Sequence, residues 1–446
     1  MAGKRTLNAS NLEALGAAAL AELLIEVSGG NAVIQRRLRL ALAAAQGAGD
    51  AAQEVRKRLA AIARAGTFVD SRKRKALLAD LAAQHQVIVG PIAAADPDQA
   101  FQLLVRFLEL ADGVMERCSD STGAVLGVFQ RAAIDLGERA SAAGVKPERL
   151  AEQVAELIAG NGYGQVDELI PAMRDALGQE GLLALQRHFR AIGGPDASYA
   201  LLQIAEGLGD VDAYRAQFDA RQLAWPSIAA DVALHLLAAG RAAEALTVLD
   251  GAAKAAASWS APEWVEARLS VLEALGHGEE AQQLRWQCFS NTLSTPHLRD
   301  YLKGLEAFED VDVEERALQM AEEHPNPLLG LRFLVEWPAL PRAARHVLAH
   351  ARTWDGEAYE IHSHAAERLS QGHPLAATLL LRAMVVFALA MGRSKRYRNA
   401  AEHLRSCERL AASLDDWQGW ESHASFSGRL REAFALQWSF WQLLER

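Results

Sequence analysis

Cysteine is scarce in this chain of 446 residues, and its placement limits the available chemistry. Cys118, Cys288 and Cys407 each lie more than 100 residues from the next. That spacing excludes CxxC pairs and zinc ribbons as local motifs. Isolated thiols are typical of proteins in a reducing compartment, so we expect a cytoplasmic location.

The sequence also lacks a clear leader and a long apolar run. Lys4 and Arg5 suggest the start of a signal peptide, but three glutamates between residues 13 and 26 interrupt the apolar region that should follow. The most apolar segment, residues 375–391, carries Arg382 near its middle and is shorter than the roughly 20 residues that a bilayer span requires. We therefore predict a helix packed inside the fold and no membrane partner.

Signatures of common enzyme classes are missing as well. The sequence contains no nucleophile elbow, kinase signature or dinucleotide-binding fingerprint. The glycine-rich stretch at 160–164 lacks the lysine and the Ser or Thr of a P-loop, and Gln165 stands where a third glycine is required. We interpret this stretch as a turn between helices, predict no cofactor, and favour a protein without catalytic activity.

Charge is distributed unevenly along the chain. The formal net charge of −10 argues against a dedicated nucleic-acid coat protein. Residues 1–80, however, carry thirteen Lys and Arg against seven Asp and Glu, a net of +6, so the remainder is −16. The composition of the N-terminal region therefore favours an anionic partner more than that of the acidic remainder does.

Basic residues of this region cluster in two runs, the second of which follows the candidate helix caps Asp70 and Ser71. Cations in the first turns of a helix oppose the helix dipole, and such runs usually form a solvated face. Alternatively, the two runs share a face that contacts nucleic acid or another anion. The candidate contact residues are Arg56, Lys57, Arg58, Arg72, Lys73, Arg74 and Lys75.

A repeating pattern occupies residues 204–324, where short polar breaks are followed by alanines that open new helical segments. Ala213, Ala245, Ala281 and Ala317 are spaced 32, 36 and 36 residues apart. A period in the mid-thirties, built as helix, turn and helix, is typical of an α-solenoid. Small residues at these positions resemble those of tetratricopeptide-like repeats, although no unit carries the full consensus.

We therefore predict an all-α fold with two parts. A helical N-terminal block covers residues 1–192, and an irregular α-solenoid of tetratricopeptide-like helix-turn-helix repeats covers residues 193–446. The turn-forming sequence Gly193-Gly194-Pro195-Asp196 marks the boundary.

Several motifs outside the repeats resemble an uncharacterised bacterial family of helical-repeat proteins. They are residues 12–40, the loop at 119–123, residues 161–164, and residues 373–377 with Arg382. The C-terminal part is also similar to the helical tail of some SWIM zinc-finger proteins, but the CxC…CxH zinc motif is absent. The resemblance implies a helical fold and no activity.

Two further clusters are candidate sites. Glu360, His364 and Glu367 lie at i, i+4 and i+7, a spacing that suits either a divalent metal or a solvated helix face. Near the C-terminus, Phe434 is followed by Trp438 and Trp441 at the same spacing. These aromatic residues predict a cap that seals the end of the solenoid, or a surface that docks a partner.

The leading hypothesis is a non-catalytic scaffold that binds a protein or peptide on the repeat surface. The alternatives are a nucleic-acid-binding accessory protein that uses the basic N-terminal block, and a metal-dependent enzyme that uses the face of Glu360, His364 and Glu367. The sequence names no partner and no oligomeric state.

Overall fold

The computed structural model describes residues 7–256, 261–306 and 308–445, and the regular secondary structure of these residues is helical. Their single β-type contact is an isolated bridge between Val69 and Cys118. The chain forms two compact units, Met1–Ala220 and Arg221–Arg446. The predicted all-α fold is confirmed.

The first unit contains helices α1 to α14, and a π-helical turn at Ile88–Ile92 joins α5 to α6. In order, the helices are Ala9–Glu13, Ala17–Ser28, Ala32–Gln46, Ala48–Ala63, Ser71–Val87, Ala93–Ala95, Pro97–Leu108, Ala111–Glu116, Ala124–Ala140, Pro147–Ala159, Leu169–Ala172, Arg174–Ile192, Pro195–Leu208 and Val211–Arg215.

The second unit contains helices α15 to α27, and a 3-10 turn at Ser394–Arg396 precedes α25. In order, the helices are Pro226–Ala238, Ala242–Ala256, Pro262–Ala274, Gly278–Thr292, Thr295–Lys303, Glu309–Glu322, Pro327–Glu336, Leu340–Ala349, Tyr359–Leu369, Pro374–Ala390, Tyr397–Ala411, His423–Ala433 and Trp438–Leu444.

Local sequence fixes several helix ends. The Asp70 carboxylate accepts hydrogen bonds from the backbone N–H groups of Arg72 and Lys73, both at 3.0 Å, which confirms Asp70 as a cap. Asp120, three residues before the N-cap Gly123, accepts from the backbone N–H of Val125 in the first turn of α9 at 2.9 Å. In the second unit, Pro226 and Pro262 each open a helix because proline needs no backbone hydrogen bond at the first position.

The helices of the second unit pack in chain order, as a solenoid requires. Helix α15 packs against α16 and α17, α17 against α18, and α24 against both α23 and α25. Ala245 and Ala281 are the fourth residues of α16 and α18 and are almost fully buried, as the predicted repeat register requires. The helical-repeat prediction is confirmed for this unit.

The predicted domain boundary at residue 193 does not coincide with the division between the compact units. Helix α13, which follows residue 193, packs against α11 and α12 of the first unit. Compactness therefore divides the chain after Ala220, whereas the sequence pattern changes at 193. The boundary at 193 stays a prediction about repeats.

The sequence predicts one helix from a cap at residue 10 or 11 to about residue 27, but the structure divides this segment into two helices. Gly16 has a φ of 81°, a left-handed conformation that breaks the segment into α1 and α2. Helix α2 then packs only weakly: Ile25 is 72% exposed, and Ser28 is the only buried residue of this helix. The apolar character of residues 17–28 therefore does not reflect burial within the described chain.

One segment, Ser71–Ala95, is long and apolar enough to cross a membrane by length and composition alone. It combines α5, the π-helical turn and α6, and its Leu81, Ile88 and Ile92 are fully buried in the core of the first unit. The shorter apolar helix α24 is also packed, as predicted: Arg382 within it is only 6% exposed.

Arg382 connects α24 to the C-terminal segment. Its guanidinium carbon lies 4.7 Å from the ring centre of Trp417 and 4.5 Å from that of Phe426, and one nitrogen donates to the backbone oxygen of Glu421 at 2.8 Å. A desolvated guanidinium between two rings gains more from this contact than an exposed one. Beyond it, Phe440 is fully buried against the cluster that includes Leu404.

The buried alanine of α18 provides a test of the repeat register. We expect Ala281→Leu to overpack the helix contact and cost about 1–3 kcal/mol of unfolding free energy. The control, Gln283→Leu, adds the same side chain at an exposed position of the same helix and should have little effect. Equal unfolding free energies of the two variants in urea would contradict the register.

The C-terminal helix provides a second test. Phe440→Ala should cost about 3–5 kcal/mol because it leaves a cavity in a packed core. Trp438→Ala, on the same helix, removes a side chain from a residue that is 65% exposed and should cost far less. Urea unfolding measures both variants. A larger loss of unfolding free energy for Trp438→Ala than for Phe440→Ala would show that the buried face of α27 is assigned wrongly.

A buried histidine predicts a pH dependence of stability. His362 is fully buried, neither ring nitrogen has a hydrogen-bond partner, and Trp354 packs edge-on against it. Burial lowers the pKa of His362, although the Asp355 charge opposes this effect. The unfolded chain therefore binds a proton at a higher pH than the folded chain.

The contribution of His362 to stability should be complete above about pH 6.5 and decline as the pH falls toward the lower folded pKa. His362→Leu removes that titration, so its melting temperature should fall less than that of the parent between about pH 7 and pH 5. Parallel pH profiles for the two proteins would contradict the assignment.

Candidate functional site

A groove runs between α23 and α25 of the second unit. Helix α24 packs against both, so it forms the floor while α23 and α25 form the walls. A cavity of about 420 Å³ lies toward the C-terminal ends of the two walls. It is lined by Ser363, Ala366, Glu367 and Ser370 of α23, Leu381 of α24, and His403, Ser406, Arg409 and Leu410 of α25.

A second cavity of about 360 Å³ lies toward the N-terminal ends of the same walls. Its lining includes Tyr359, Glu360 and Ile361 from α23, and Arg396 and Asn399 from the start of α25. Because the N-terminal ends line one cavity and the C-terminal ends line the other, the two walls run in the same direction. We name the two cavities together the α23–α25 groove.

The length of this groove follows from helix geometry. The lining residues of α23 extend from Ala358 to Ser370, twelve residues apart, which corresponds to about 18 Å of helix rise. An extended chain advances about 3.3 Å per residue, so the groove spans about five extended residues. Its shape suits a short linear ligand.

His403 is the central polar group of the groove. Its ring centre lies 5.5 Å from that of Tyr359, which lines the N-terminal cavity, and its Nε2 is buried without a hydrogen-bond partner. Burial lowers the pKa of His403, with an opposing effect of Glu402. The imidazole is therefore neutral at pH 7 and offers one donor and one acceptor.

The walls provide further hydrogen-bonding groups. Ser370 Oγ donates to the backbone oxygen of Glu367 at 2.7 Å, and Ser406 Oγ donates to that of Glu402 at 2.9 Å. Each hydroxyl oxygen can still accept a hydrogen bond from a ligand. Arg409 donates to Ser406 Oγ at 2.9 Å and contributes a cation to the rim. The groove thus combines donors and acceptors with an apolar floor at Leu381.

The candidate metal residues Glu360, His364 and Glu367 are all exposed on α23. Glu360 lines the N-terminal cavity and Glu367 the C-terminal one. Seven residues of helix separate these carboxylates by a rise of about 10 Å, too far for a shared ion. In the described ranges, no group of three His, Cys, Asp or Glu residues could hold a metal ion.

The candidate anion contacts of the first unit separate into groups with different surroundings. Arg74 points toward the loop at 119–121, where it donates to the backbone oxygen of Ser119 at 2.8 Å and to Ser121 Oγ at 3.1 Å. Arg56, Arg72 and Lys75 are exposed. The structure brings Lys57, Arg58 and Lys73 to two adjoining cavities.

Those cavities also contain three arginines that the charge runs did not indicate. Arg36 and Arg39 come from α3, and Arg117 follows α8. Arg36 and Arg39 lie three residues apart in the sequence, but only the packing of α3 shows that they face residues of α4 and α5. Nothing local identifies Arg117.

The C-terminal aromatic residues divide between two environments. Trp438 is 65% exposed, whereas Trp441 is half-buried, donates from Nε1 to the backbone oxygen of Phe434 at 3.0 Å, and has Arg431 at 5.2 Å from its ring centre. The fully buried aromatic of this helix is Phe440. Partner binding at Trp438 and Trp441 stays a prediction.

Comparison with known proteins gives a family without an assigned activity. The family described as "Family of unknown function (DUF6880)" matches residues 2–196 and 193–443. The two matches meet near the predicted boundary at 193. No curated protein matches the sequence.

A similar solved structure is described as "Circular tandem repeat protein with novel repeat topology and enhanced subunit contact surfaces". Its sequence is 16% identical, and the alignment covers 93% of this chain and 97% of that chain with a TM-score of 0.13. A similarity of this size supports no argument about fold or function.

Proposed function

Because the chain belongs to the family of unknown function DUF6880, which assigns no activity, we propose its function from its own surfaces. We propose that it is a non-catalytic adaptor that binds an extended peptide segment of a partner protein. The observation that carries this proposal is the pair of cavities aligned end to end in the α23–α25 groove.

The groove suits a peptide main chain. Extended backbone presents an N–H donor and a carbonyl acceptor at every residue. Neutral His403, the hydroxyl oxygens of Ser370 and Ser406, and the guanidinium of Arg409 supply matching partners along the two walls. Stacked helices commonly present such elongated concave surfaces to their ligands.

Charge along the groove favours a segment of mixed charge. Glu357, Glu360 and Glu367 supply three carboxylates, and Arg396 and Arg409 supply two guanidinium groups. A polyanion such as nucleic acid would meet more negative than positive charge here and be repelled. Each cavity contains both signs, so a peptide that carries both positive and negative side chains would find partners along the groove.

Two broader aspects of the interpretation belong to the same proposal. Cys118, Cys288 and Cys407 are separate, buried thiols, which suits a reducing cytoplasm. For the similarity of the C-terminal part to the helical tail of some SWIM zinc-finger proteins, we propose a shared helical ancestry without the zinc function.

Arg409 and Arg398 provide a matched test, because both are exposed arginines of α25 and only Arg409 lines the groove. We expect peptides selected from a random display library on the full chain to bind Arg409→Ala at least about tenfold more weakly, since a hydrogen bond to a charged group is lost. Arg398→Ala should bind them like the parent. Fluorescence anisotropy with a labelled selected peptide measures the difference.

Two results would contradict the proposal. One is a selection that enriches no peptide on the folded chain. The other is a set of enriched peptides that bind Arg409→Ala as tightly as the parent protein. Circular dichroism of each variant controls for loss of folding.

A further inference from the structure

Two adjoining cavities on the first unit, of about 190 and 200 Å³, have Arg36 and Arg58 in common. Arg39 and Lys57 line one of them, and Lys73 and Arg117 line the other. We name the two cavities together the arginine pocket. Its lining residues belong to the first unit and not to the α23–α25 groove, so a ligand here is independent of the function proposed above.

The acidic side chains of the arginine pocket are already paired. Arg58 Nε donates to Asp80 Oδ2 at 2.7 Å, and Lys57 Nζ lies 2.8 Å from Glu54 Oε1. These two pairs remove two cations and two carboxylates from the balance.

Four cations then lack an ion pair within the described ranges. Arg117 donates only to backbone oxygens, those of Thr67 and Ile62, at 3.4 and 3.3 Å. The other three make no ion pair with any described carboxylate. The excess of positive charge in the pocket is therefore carried by Arg36, Arg39, Lys73 and Arg117.

Unmet hydrogen-bonding capacity lies at the same place. Arg36 Nε is buried and has no partner. Gln84 is 4% exposed, lines the pocket, and has no partner for its Oε1. Buried polar atoms are rarely left unpaired, because each unmade bond costs free energy. A ligand that accepts from Arg36 and carries a proton for Gln84 would satisfy both.

Backbone contacts hold the distant arginine in position. Val69 N donates to the backbone oxygen of Arg117 at 2.7 Å, and Ser119 N donates to that of Val69 at 3.0 Å. This bridge fixes Arg117 beside the start of α5, where Lys73 lies. The two cations are thus positioned by the fold and do not depend on a flexible loop.

We propose that the arginine pocket binds a phosphate monoester. Guanidinium groups match phosphate oxygens through paired hydrogen bonds, and a phosphate monoester is mostly a dianion at pH 7, since its second pKa is about 6. The hydrogen bond to Gln84 then falls to a donor on the carrier of the phosphate. The pocket is small and bounded by the pairs at Asp80 and Glu54, which suits one discrete anion. Lining side chains such as Ala61, Ile62 and Leu77 provide an apolar wall for the carrier of the phosphate.

The arginine pocket fits a nucleic-acid strand less well than a phosphate monoester. Strand binding without sequence preference uses a basic track together with aromatic side chains that stack on the bases. No aromatic residue lines either cavity, and Arg74 is engaged with Ser119 and Ser121. The discrete phosphate is therefore the better match.

Arg36 and Arg37 are adjacent on α3, and only Arg36 lines the pocket. Arg36→Met and Arg37→Met change the net charge equally, so Arg37→Met is the control. We expect O-phosphoserine, titrated into the full chain by calorimetry at low salt, to bind the parent and Arg37→Met alike. Arg36→Met should bind it at least about tenfold more weakly, since a charge-assisted bond is lost. Melting temperatures without ligand show whether each variant is folded.

A second arm uses a peptide with one phosphoserine between alanines. Tighter binding of this peptide than of free O-phosphoserine would assign the phosphate to a protein partner, and equal binding would assign it to a small metabolite. The proposal is overturned if O-phosphoserine does not bind at low salt, or if Arg36→Met and Arg37→Met lose affinity equally. It is also overturned if a single-stranded oligonucleotide binds while O-phosphoserine does not.

Discussion

The close approach of neighbouring helices through small side chains is the constraint on which the second unit depends. Ala281, Ala317 and Ala377 are almost fully buried, and each occupies a helix that packs against its neighbours in chain order. The axes of packed helices lie about 8–10 Å apart, and the shortest of these distances require small side chains at the contact. A larger side chain at such a position would separate the helices, and the error would be transmitted to the next repeat because each contacts only its neighbours.

That packing also creates the groove. Helix α24 packs between α23 and α25 and keeps these two walls apart. The groove is open on the side of the walls away from α24. The register of α25 brings Tyr397, Ala400, Leu404 and Cys407 toward the core, all of them buried. The same register turns His403 and Arg409 toward the groove. The proposed binding surface therefore lies on a different face of α25 from the buried stripe that stabilises the repeat.

Features determined by neighbouring residues could be predicted from the sequence. The cap at Asp70, the buried alanines at 245 and 281, and the packed helix around Arg382 depend on turn chemistry and helical period. The division of the first helical segment at Gly16 could not be predicted in the same way, because glycine also occurs within helices. The spacing of Phe434, Trp438 and Trp441 predicts one aromatic face of a single helix. This prediction is wrong, because Phe434 follows α26 and Trp438 begins α27.

The candidate sites depended on contacts that the sequence does not encode locally. Arg117 lies 81 positions from Arg36, and its place in the arginine pocket depends on the bridge at Val69 and on its bonds to Thr67 and Ile62. Helical spacing placed Glu360 and Glu367 on one face, but it did not reveal that the groove between two helices divides them between two cavities. Charge runs identified the region of the first unit that contains the arginine pocket, whereas the pairing of Arg58 with Asp80 and the direction of Arg74 required the folded chain.

The central claim is that the α23–α25 groove holds an extended peptide. Hydrogen–deuterium exchange of the full chain, with and without a peptide selected on it, tests this claim most directly. The account predicts slower exchange in α23 and α25 upon binding, with the first unit unchanged. Protection confined to the first unit, or to the C-terminal helix around Trp438, would contradict it.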